Sequence, residues 1–278
     1  MLKCFTWNLG HRLKKIPSQI KAVVDRNPNI IAFQEVTLES SKIIKKILSS
    51  SYKNIVDSFE LISDQSLLKG PRRLGVLIAT NYDLKFRSQN EFEIPWRERI
   101  LAVDIISPNE TIEFYNAYIP PGSSNRWKKI ETLEGLYKGL AKHTEKKRIL
   151  CGDFNTPQDE LLKHGVCTFA QKINKKGAPK LKKIFRRGSG SGKRWDQGER
   201  SILEDLKEFN LGDAYRRIHP IPKKAYSFVL ERRGKVVAKR RFDHFFSSKE
   251  LIIKSVEYLH KYREDGLSDH SPLELVIK

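Results

Sequence analysis

Five short polar motifs close apolar runs in this 278-residue chain: Trp7-Asn8, Gln34-Glu35, Gly152-Asp153-Phe154-Asn155, Phe242-Asp243-His244 and Ser268-Asp269-His270. Carboxylates, amides and imidazoles are the groups that accept protons, orient water and meet hard cations. A carboxylate set directly after an apolar strand is costly unless something pairs it, and a bound cation or a water-filled cleft would remove that cost. Taken singly, each motif also fits a strand-end cap or a turn, so the weight lies in the combination.

The elements that must position these groups are legible as short apolar runs rich in β-branched and aromatic residues. Strands are predicted at Leu2 to Leu9, Ile30 to Phe33, Leu74 to Ala79, Ile100 to Ile106, Ile112 to Ile119 and Arg148 to Cys151. Helical spacing is read between them at Ile16 to Arg26, Glu39 to Leu48 and Arg126 to Lys142, the last aligning Trp127, Ile130, Leu133, Tyr137 and Leu140 on one face. The second half adds a helix from Glu199 to Phe209 and strands around Tyr226 to Leu230, Lys235 to Phe246, Leu251 to Val256 and Leu273 to Ile277. Mixed α/β layering follows, and with no Pro-rich or Ser-rich linker dividing the chain, one domain over residues 1–278 is expected.

Lysine and arginine number 53 against 33 acidic residues, a net charge of +20. Such a field gathers polyanions, which makes nucleic acid the expected partner. The charge is uneven: Gln171 to Arg200 carries eleven cationic residues, Arg186 and Arg187 among them, against Asp196 and Glu199. The Gly188-Ser-Gly-Ser-Gly192 run inside it predicts a mobile basic loop at about 171–200. No apolar run is long enough to span a bilayer, and the first residues lack a signal-peptide layout, so an intracellular protein without membrane insertion is expected. Cys4, Cys151 and Cys167 form an odd set without CxxC spacing, which fits buried thiols in a reducing compartment. Nothing in the sequence calls for an obligate protein partner.

Taken together and in this order, the motifs resemble the endonuclease/exonuclease/phosphatase superfamily, the deoxyribonuclease I-like group, over nearly the whole chain from Phe5 to Pro272. The resemblance implies a four-layer α/β sandwich, two mixed β-sheets flanked by helices. It implies Glu35 as the principal metal carboxylate, with Asn8 beside it and Asp269 near the same ion. Mg²⁺ suits such oxygen ligands, and Mn²⁺ suits them as well. It places His270 at the scissile phosphate with Asp243 behind its far nitrogen, and makes Asp153 the candidate to activate water, with Asn155 holding that water or a phosphoryl oxygen.

Within the superfamily the motifs are closest to the exonuclease III-like and retroelement-type endonucleases. Tyr118, before Ile119-Pro120-Pro121, stands where many phosphatase members carry histidine, and the resemblance gives its hydroxyl a phosphate contact. Ala225-Tyr226-Ser227-Phe228 resembles the stretch that supplies an aromatic wall of an abasic-site pocket, although Arg240 stands where a second aromatic commonly lies. Arg126, Lys128 and Lys129 are candidate backbone contacts, and Phe228 a candidate wall of the pocket. The expected activity is therefore Mg²⁺-dependent hydrolysis of a nucleic-acid backbone, DNA before RNA, with little base specificity and abasic sites as a special case. A phosphatase or phosphodiesterase acting on inositol phosphates or phospholipid head groups is the first alternative. A nucleic-acid-binding module without catalysis is the second.

Overall fold

The structure is a computed structural model, and it describes residues 1–108, 110–183, 191–221 and 223–278. Two six-stranded mixed sheets face each other. The first runs in the order Ile253–Tyr258, Leu273–Ile277, Leu2–Asn8, Ile30–Val36, Gly75–Thr80, Asn54–Asp57, and only Leu2–Asn8 and Ile30–Val36 run parallel. The second runs Gly212–Asp213, Asp243–Ser247, Lys147–Asp153, Thr111–Tyr118, Ile100–Ile106, Asp83–Phe86, with Thr111–Tyr118 and Lys147–Asp153 as its parallel pair. Helices Ile16–Val24 and Leu38–Leu48 pack outside the first sheet through Ile16, Ile20, Val23, Ile44 and Leu48. Helices Trp127–Leu140 and Gly192–Leu203 cover the second through Ile130, Leu133, Leu136, Trp195 and Ile202. This is the four-layer α/β sandwich expected from the motifs.

Side-chain alternation sorts the strands into three apolar layers. Cys4, Ile30, Ala32, Val76, Ile78, Leu101, Val103, Phe114, Ile149, Cys151 and Phe245 meet between the sheets, while their sequence neighbours Phe5, Ile31, Phe33, Tyr115, Leu150 and Phe246 meet the helices. Because successive side chains on a strand point to opposite faces, a polar residue ending a strand at the parity of these central residues is delivered to the cleft between the sheets. Each large apolar side chain so buried contributes roughly 1.5–3 kcal/mol, which holds the layers in register.

Several boundaries differ from the sequence reading. Lys235 to Phe246 is two strands: Lys235–Arg240 forms a separate hairpin with Phe228–Arg232, and Asp243–Ser247 joins the second sheet. The break falls where Arg241 turns inward to Glu160 and Asp213, at 2.7 and 2.6 Å. The strand Asn54–Asp57 and the edge strand Asp83–Phe86 were not expected, being short and weakly patterned. The segment expected as a mobile basic loop carries regular structure in its described part. Gln171–Ile173 pairs with Pro179–Leu181, and Ser191 caps a helix that starts at Gly192, earlier than the expected Glu199, with a 3-10 turn at Asp205–Phe209. Residues 184–190, with Arg186, Arg187 and most of the glycine-serine run, lie outside the described residues. All three cysteines are buried and unbridged. Among the described residues no helix is long and apolar enough to cross a membrane.

Candidate active site

Both sheets contribute to one cleft at their shared end. Asn8 ends its strand at the central parity of Cys4 and Thr6, and Asp153 does so after Ile149 and Cys151. Asn116 and Tyr118 follow Ile112 and Phe114, and Asp243 precedes Phe245. Asn8 Nδ2 spans the gap between sheets, donating to Asp153 Oδ2 at 2.8 Å and to Glu35 Oε1 at 3.1 Å. A layer below, Gln34 Nε2 donates to Asn116 Oδ1 at 2.7 Å, and Asn116 Nδ2 donates back to the carbonyls of Phe33 and Leu77.

Glu35 reaches the cleft by a different device. Its parity is that of Ile31 and Phe33, which face the helices. A bulge between Gln34 and Val36 leaves Glu35 as the extra residue, with φ at +56°. Bulges re-aim side chains, and this one turns the carboxylate into the cleft. Left-handed backbone in non-glycine residues costs energy and collects at sites whose geometry the surroundings impose. Here it recurs at His11 (+42°) and Asn155 (+51°). Gly152, before Asp153, is at φ +132°, and a Cβ there would lie 1.9 Å from the Ala117 carbonyl oxygen, so the two parallel strands close up only over glycine.

The Ser268-Asp269-His270 loop is sewn to both walls. Ser268 Oγ donates to the Asn8 carbonyl at 2.7 Å, Trp7 Nε1 donates to the His270 carbonyl at 2.9 Å, and Phe228 bridges to His270 on the other side. The imidazole is thereby fixed. Nδ1–H donates to Asp243 Oδ2 at 2.7 Å, and Nε2 faces Asp153 Oδ2 at 4.0 Å. Asp243 is itself held: Ser227 Oγ accepts from the backbone N–H groups of Phe242 and Asp243, and Tyr258 donates to the Asp243 carbonyl. The backbone N–H of Asn155 donates to Asp153 Oδ1 at 2.8 Å.

Electrostatics separates the roles. Burial alone would raise the Glu35 carboxyl, but the hydrogen bond with His11, the charge of His270 and the bonds from Asn8 and Tyr118 outweigh it and hold the group at about 2. Glu35 is therefore a carboxylate at neutral pH. Burial lifts Asp153 above the ordinary carboxyl range against the pull of His270, and Asp243 lifts it further. His270 moves the other way from what burial dictates: Asp243 and Asp153 favour its charged form and raise it above the ordinary imidazole range. A basic carboxylate beside a firmly held imidazolium can take a proton from water and present a cation to an oxyanion.

Of the sequence-predicted residues, Asn8, Glu35, Tyr118, Asp153, Asn155, Asp243 and His270 lie together in this cleft. Tyr118 donates its hydroxyl to Glu35 Oε1 at 2.8 Å, and the buried Arg99 guanidinium lies 4.3 Å from its ring centre. Asp269 sits at the rim, against Gly10 and 3.7 Å from Arg12. Glu35 could offer a carboxylate oxygen to a hard cation, and Asp269 is a further carboxylate at the rim. Asn8, also expected beside the ion, turns its Nδ2 to Glu35 and its Oδ1 to the Gly10 N–H at 2.9 Å. One ligand atom each of Asp153, Asp243 and His270 also lies within 4.8 Å of the others, a second group of two carboxylates and an imidazole that could hold a cation.

The substrate-facing expectations need one correction. Lys129 is no surface contact: 1% exposed, it donates to Glu199 Oε1 at 2.6 Å and to the Asn155 carbonyl at 2.9 Å, because a buried ammonium requires a partner. Lys128 is exposed and pairs with Glu131, and Arg126 is exposed at the start of the helix Trp127–Leu140. Phe228 stacks on Phe242 at 5.4 Å and lies 5.1 Å from the His270 ring. Phe228 and Phe242, with Phe169, Lys129 and Asn155, line a cavity of about 440 Å³ beside the cleft. Sequence reasoning missed His11, whose Nδ1 lies 2.6 Å from Glu35 Oε2. Its only sequence signal is closeness to Asn8, and a lone polar residue after a glycine reads as surface.

Carboxylates, amides and a carboxylate-backed imidazole meet between the sheets of this four-layer sandwich, a donor set suited to phosphoester hydrolysis, and the chain is an enzyme of the metal-dependent phosphodiester hydrolase class. The chain belongs to the endonuclease/exonuclease/phosphatase family, whose model matches residues 5–270. The family resemblance read from the five motifs is thereby shown. Among solved structures, the chain is similar over its full length to an AP endonuclease from Archaeoglobus fulgidus, at 22% identity, with all of that chain covered and a TM-score of 0.71. It is similar to the 3′ phosphatase NExo from Neisseria bound to a product DNA hairpin, at 20% identity, with both chains fully covered and a TM-score of 0.65. It is also similar to TDP2 from D. rerio complexed with a single-stranded DNA product, at 10% identity, with full coverage of this chain, 98% of the other and a TM-score of 0.66. These likenesses establish the fold. No curated protein matches the chain in sequence.

Proposed function

We propose that this enzyme is a Mg²⁺-dependent nuclease that hydrolyses the DNA backbone inside the cell, with little base specificity, as one catalytic unit over residues 1–278. The observation that carries the proposal is the convergence of Glu35, Asn8, Asp153 and the His270–Asp243 pair from two sheets onto one cleft. Supporting the choice of substrate are the net charge of +20 and the DNA-bound state of two structural relatives.

Glu35, with Asp269 at the rim, would hold the divalent cation, which would supply charge to neutralise a phosphate oxygen and the departing alkoxide. Asp153, made more basic by burial, takes a proton from the attacking water while Asn8 and Asn155 fix its carboxylate. The His270 imidazolium, turned outward at Nε2 by Asp243, hydrogen-bonds to the phosphoryl oxygen as charge builds there. Tyr118 holds Glu35 and faces the same phosphate. Arg126 and Lys128 on the rim contact neighbouring backbone phosphates, which positions the strand without reading its bases. A second reading, a preference for abasic or otherwise extruded residues, draws support from the phenylalanine-lined cavity beside His270.

The test incubates the protein with supercoiled plasmid, an abasic duplex, single-stranded DNA and RNA, each with Mg²⁺ or chelator, beside Glu35→Gln and His270→Ala. Metal-dependent cleavage of DNA that both variants lose by roughly a hundredfold or more supports the proposal. Release of phosphate from inositol or lipid esters with intact DNA overturns it in favour of a small-ester hydrolase. Tight binding without turnover overturns it in favour of a binding module.

A further inference from the structure

The two oxygens of Glu35 are unequally occupied. Oε1 accepts from Tyr118 at 2.8 Å and from Asn8 at 3.1 Å, so the protein itself has claimed it. Among the described residues, Oε2 hydrogen-bonds a single group, Nδ1 of His11 at 2.6 Å. The His11 side chain is 49% exposed and stands at the mouth of the cleft, on a left-handed turn that begins at Gly10. Gly10 is itself part of the arrangement: its φ of +65° disfavours a side chain, and a Cβ would come within 2.9 Å of Asp269 Oδ1. The turn thus brings an imidazole to the open oxygen of Glu35, while Asn8 keeps its own oxygen on the Gly10 N–H.

Two neighbouring ligands of one octahedral ion, each about 2.1 Å from it, lie about 3.0 Å apart. The Nδ1 to Oε2 separation needs to open by only about 0.4 Å, within reach of a half-exposed side chain, for both atoms to share a cation. Mg²⁺ favours oxygen throughout its shell, whereas imidazole nitrogen raises affinity along the divalent transition series. We infer that His11 is a direct nitrogen ligand of the metal held by Glu35, and that it biases this site from Mg²⁺ toward Mn²⁺ and the later divalent transition ions. The inference rests on Glu35 as the metal carboxylate and adds to it a ligand and a selectivity.

The experiment measures metal binding to the free protein, without substrate. Calorimetric titrations with Mn²⁺ and Mg²⁺ compare the wild type with His11→Asn, chosen because asparagine tolerates left-handed backbone, and with Glu35→Gln. Pulsed electron paramagnetic resonance on the Mn²⁺ form reports directly bound nitrogen. The expected result is ¹⁴N coupling in the wild type that His11→Asn removes, with a Mn²⁺ affinity loss of roughly tenfold or more and little change for Mg²⁺. An unchanged ratio of Mn²⁺ to Mg²⁺ affinity, or ¹⁴N coupling that survives in His11→Asn, overturns the role of His11. If Glu35→Gln abolishes binding in that same experiment, the metal carboxylate stands while the added ligand falls. Undiminished binding in Glu35→Gln overturns both.

Discussion

Replacing Asp243 with asparagine removes one buried charge and little else: size and a hydrogen-bond acceptor remain, 2.7 Å from His270 Nδ1. Both residues are buried, 1% and 5% exposed, so solvent does little to screen the pair. With charge centres about 4 Å apart and an effective dielectric of about 20, the attraction is about 4 kcal/mol, equivalent to roughly three pH units in the imidazole's affinity for its proton. Asp153, 4.0 Å from Nε2, still favours the charged form in the variant, so the expected fall is about two to three units, back toward ordinary imidazole behaviour. If the imidazolium is the working form, the alkaline limb of kcat/KM against pH moves down by that amount. The acid limb, which reports Asp153 losing its proton, moves down as well, because Asp243 no longer opposes the Asp153 charge. The assay is plasmid nicking over pH 5 to 11 at fixed ionic strength, with a ¹⁵N titration of the His270 ring in the metal-free protein as a direct reading. A variant slower at every pH by one factor, with both limbs in place, would refute the electrostatic role and leave Asp243 as packing.

Three further outcomes follow from other contacts. Lys129→Met strands the fully buried Glu199, and a loss of about 3–5 kcal/mol is expected in chemical denaturation, of which Lys129→Met with Glu199→Leu should regain part; equal losses would contradict the pairing. Glu160, held at about 2 by Arg241 and Arg216 despite burial, and Asp213, also depressed, lie below their unfolded values. Their stabilisation is complete above about pH 4.5 and is lost as pH falls toward 2, so the melting temperature should decline from pH 5 to pH 3, and a flat profile would count against the cluster. The hairpin tip carries exposed Arg233 and Lys235, and Arg233→Asn with Lys235→Gln should lower the slope of log affinity for DNA against log salt by roughly 0.9 for each phosphate left without its cation, whereas an unchanged slope places the tip off the DNA.

How far the site could be read from sequence depends on how each residue gets there. Asn8, Tyr118, Asp153 and Asp243 obey strand alternation, so an apolar run with a polar end already says which layer receives the side chain. Glu35 breaks alternation through a bulge and a left-handed φ, and periodicity alone would have sent it toward the helices; the family resemblance found it where the pattern could not. Lys129 misled because its partner Glu199 lies seventy residues away on another helix, and an unpaired lysine in a helix reads as surface. The hairpin of Phe228–Arg232 and Lys235–Arg240 merged with the next strand for a similar reason: Arg241 looks like a surface cation until Glu160 and Asp213 are brought to it. Net charge, too, overstates the surface field, since Lys129, Arg87 and Arg241 are neutralised in place by carboxylates.

The amide stitches between the sheets, Asn8 to Asp153 and Gln34 to Asn116, set a limit on how the enzyme can fail. Neither sheet carries all of these groups, so a slight parting of the two halves, well short of unravelling either, would separate Glu35 from Asp153. Turnover should then fade in mild urea before circular dichroism registers any melting, making catalysis a finer gauge of how the halves are seated than any spectroscopic measure of folding.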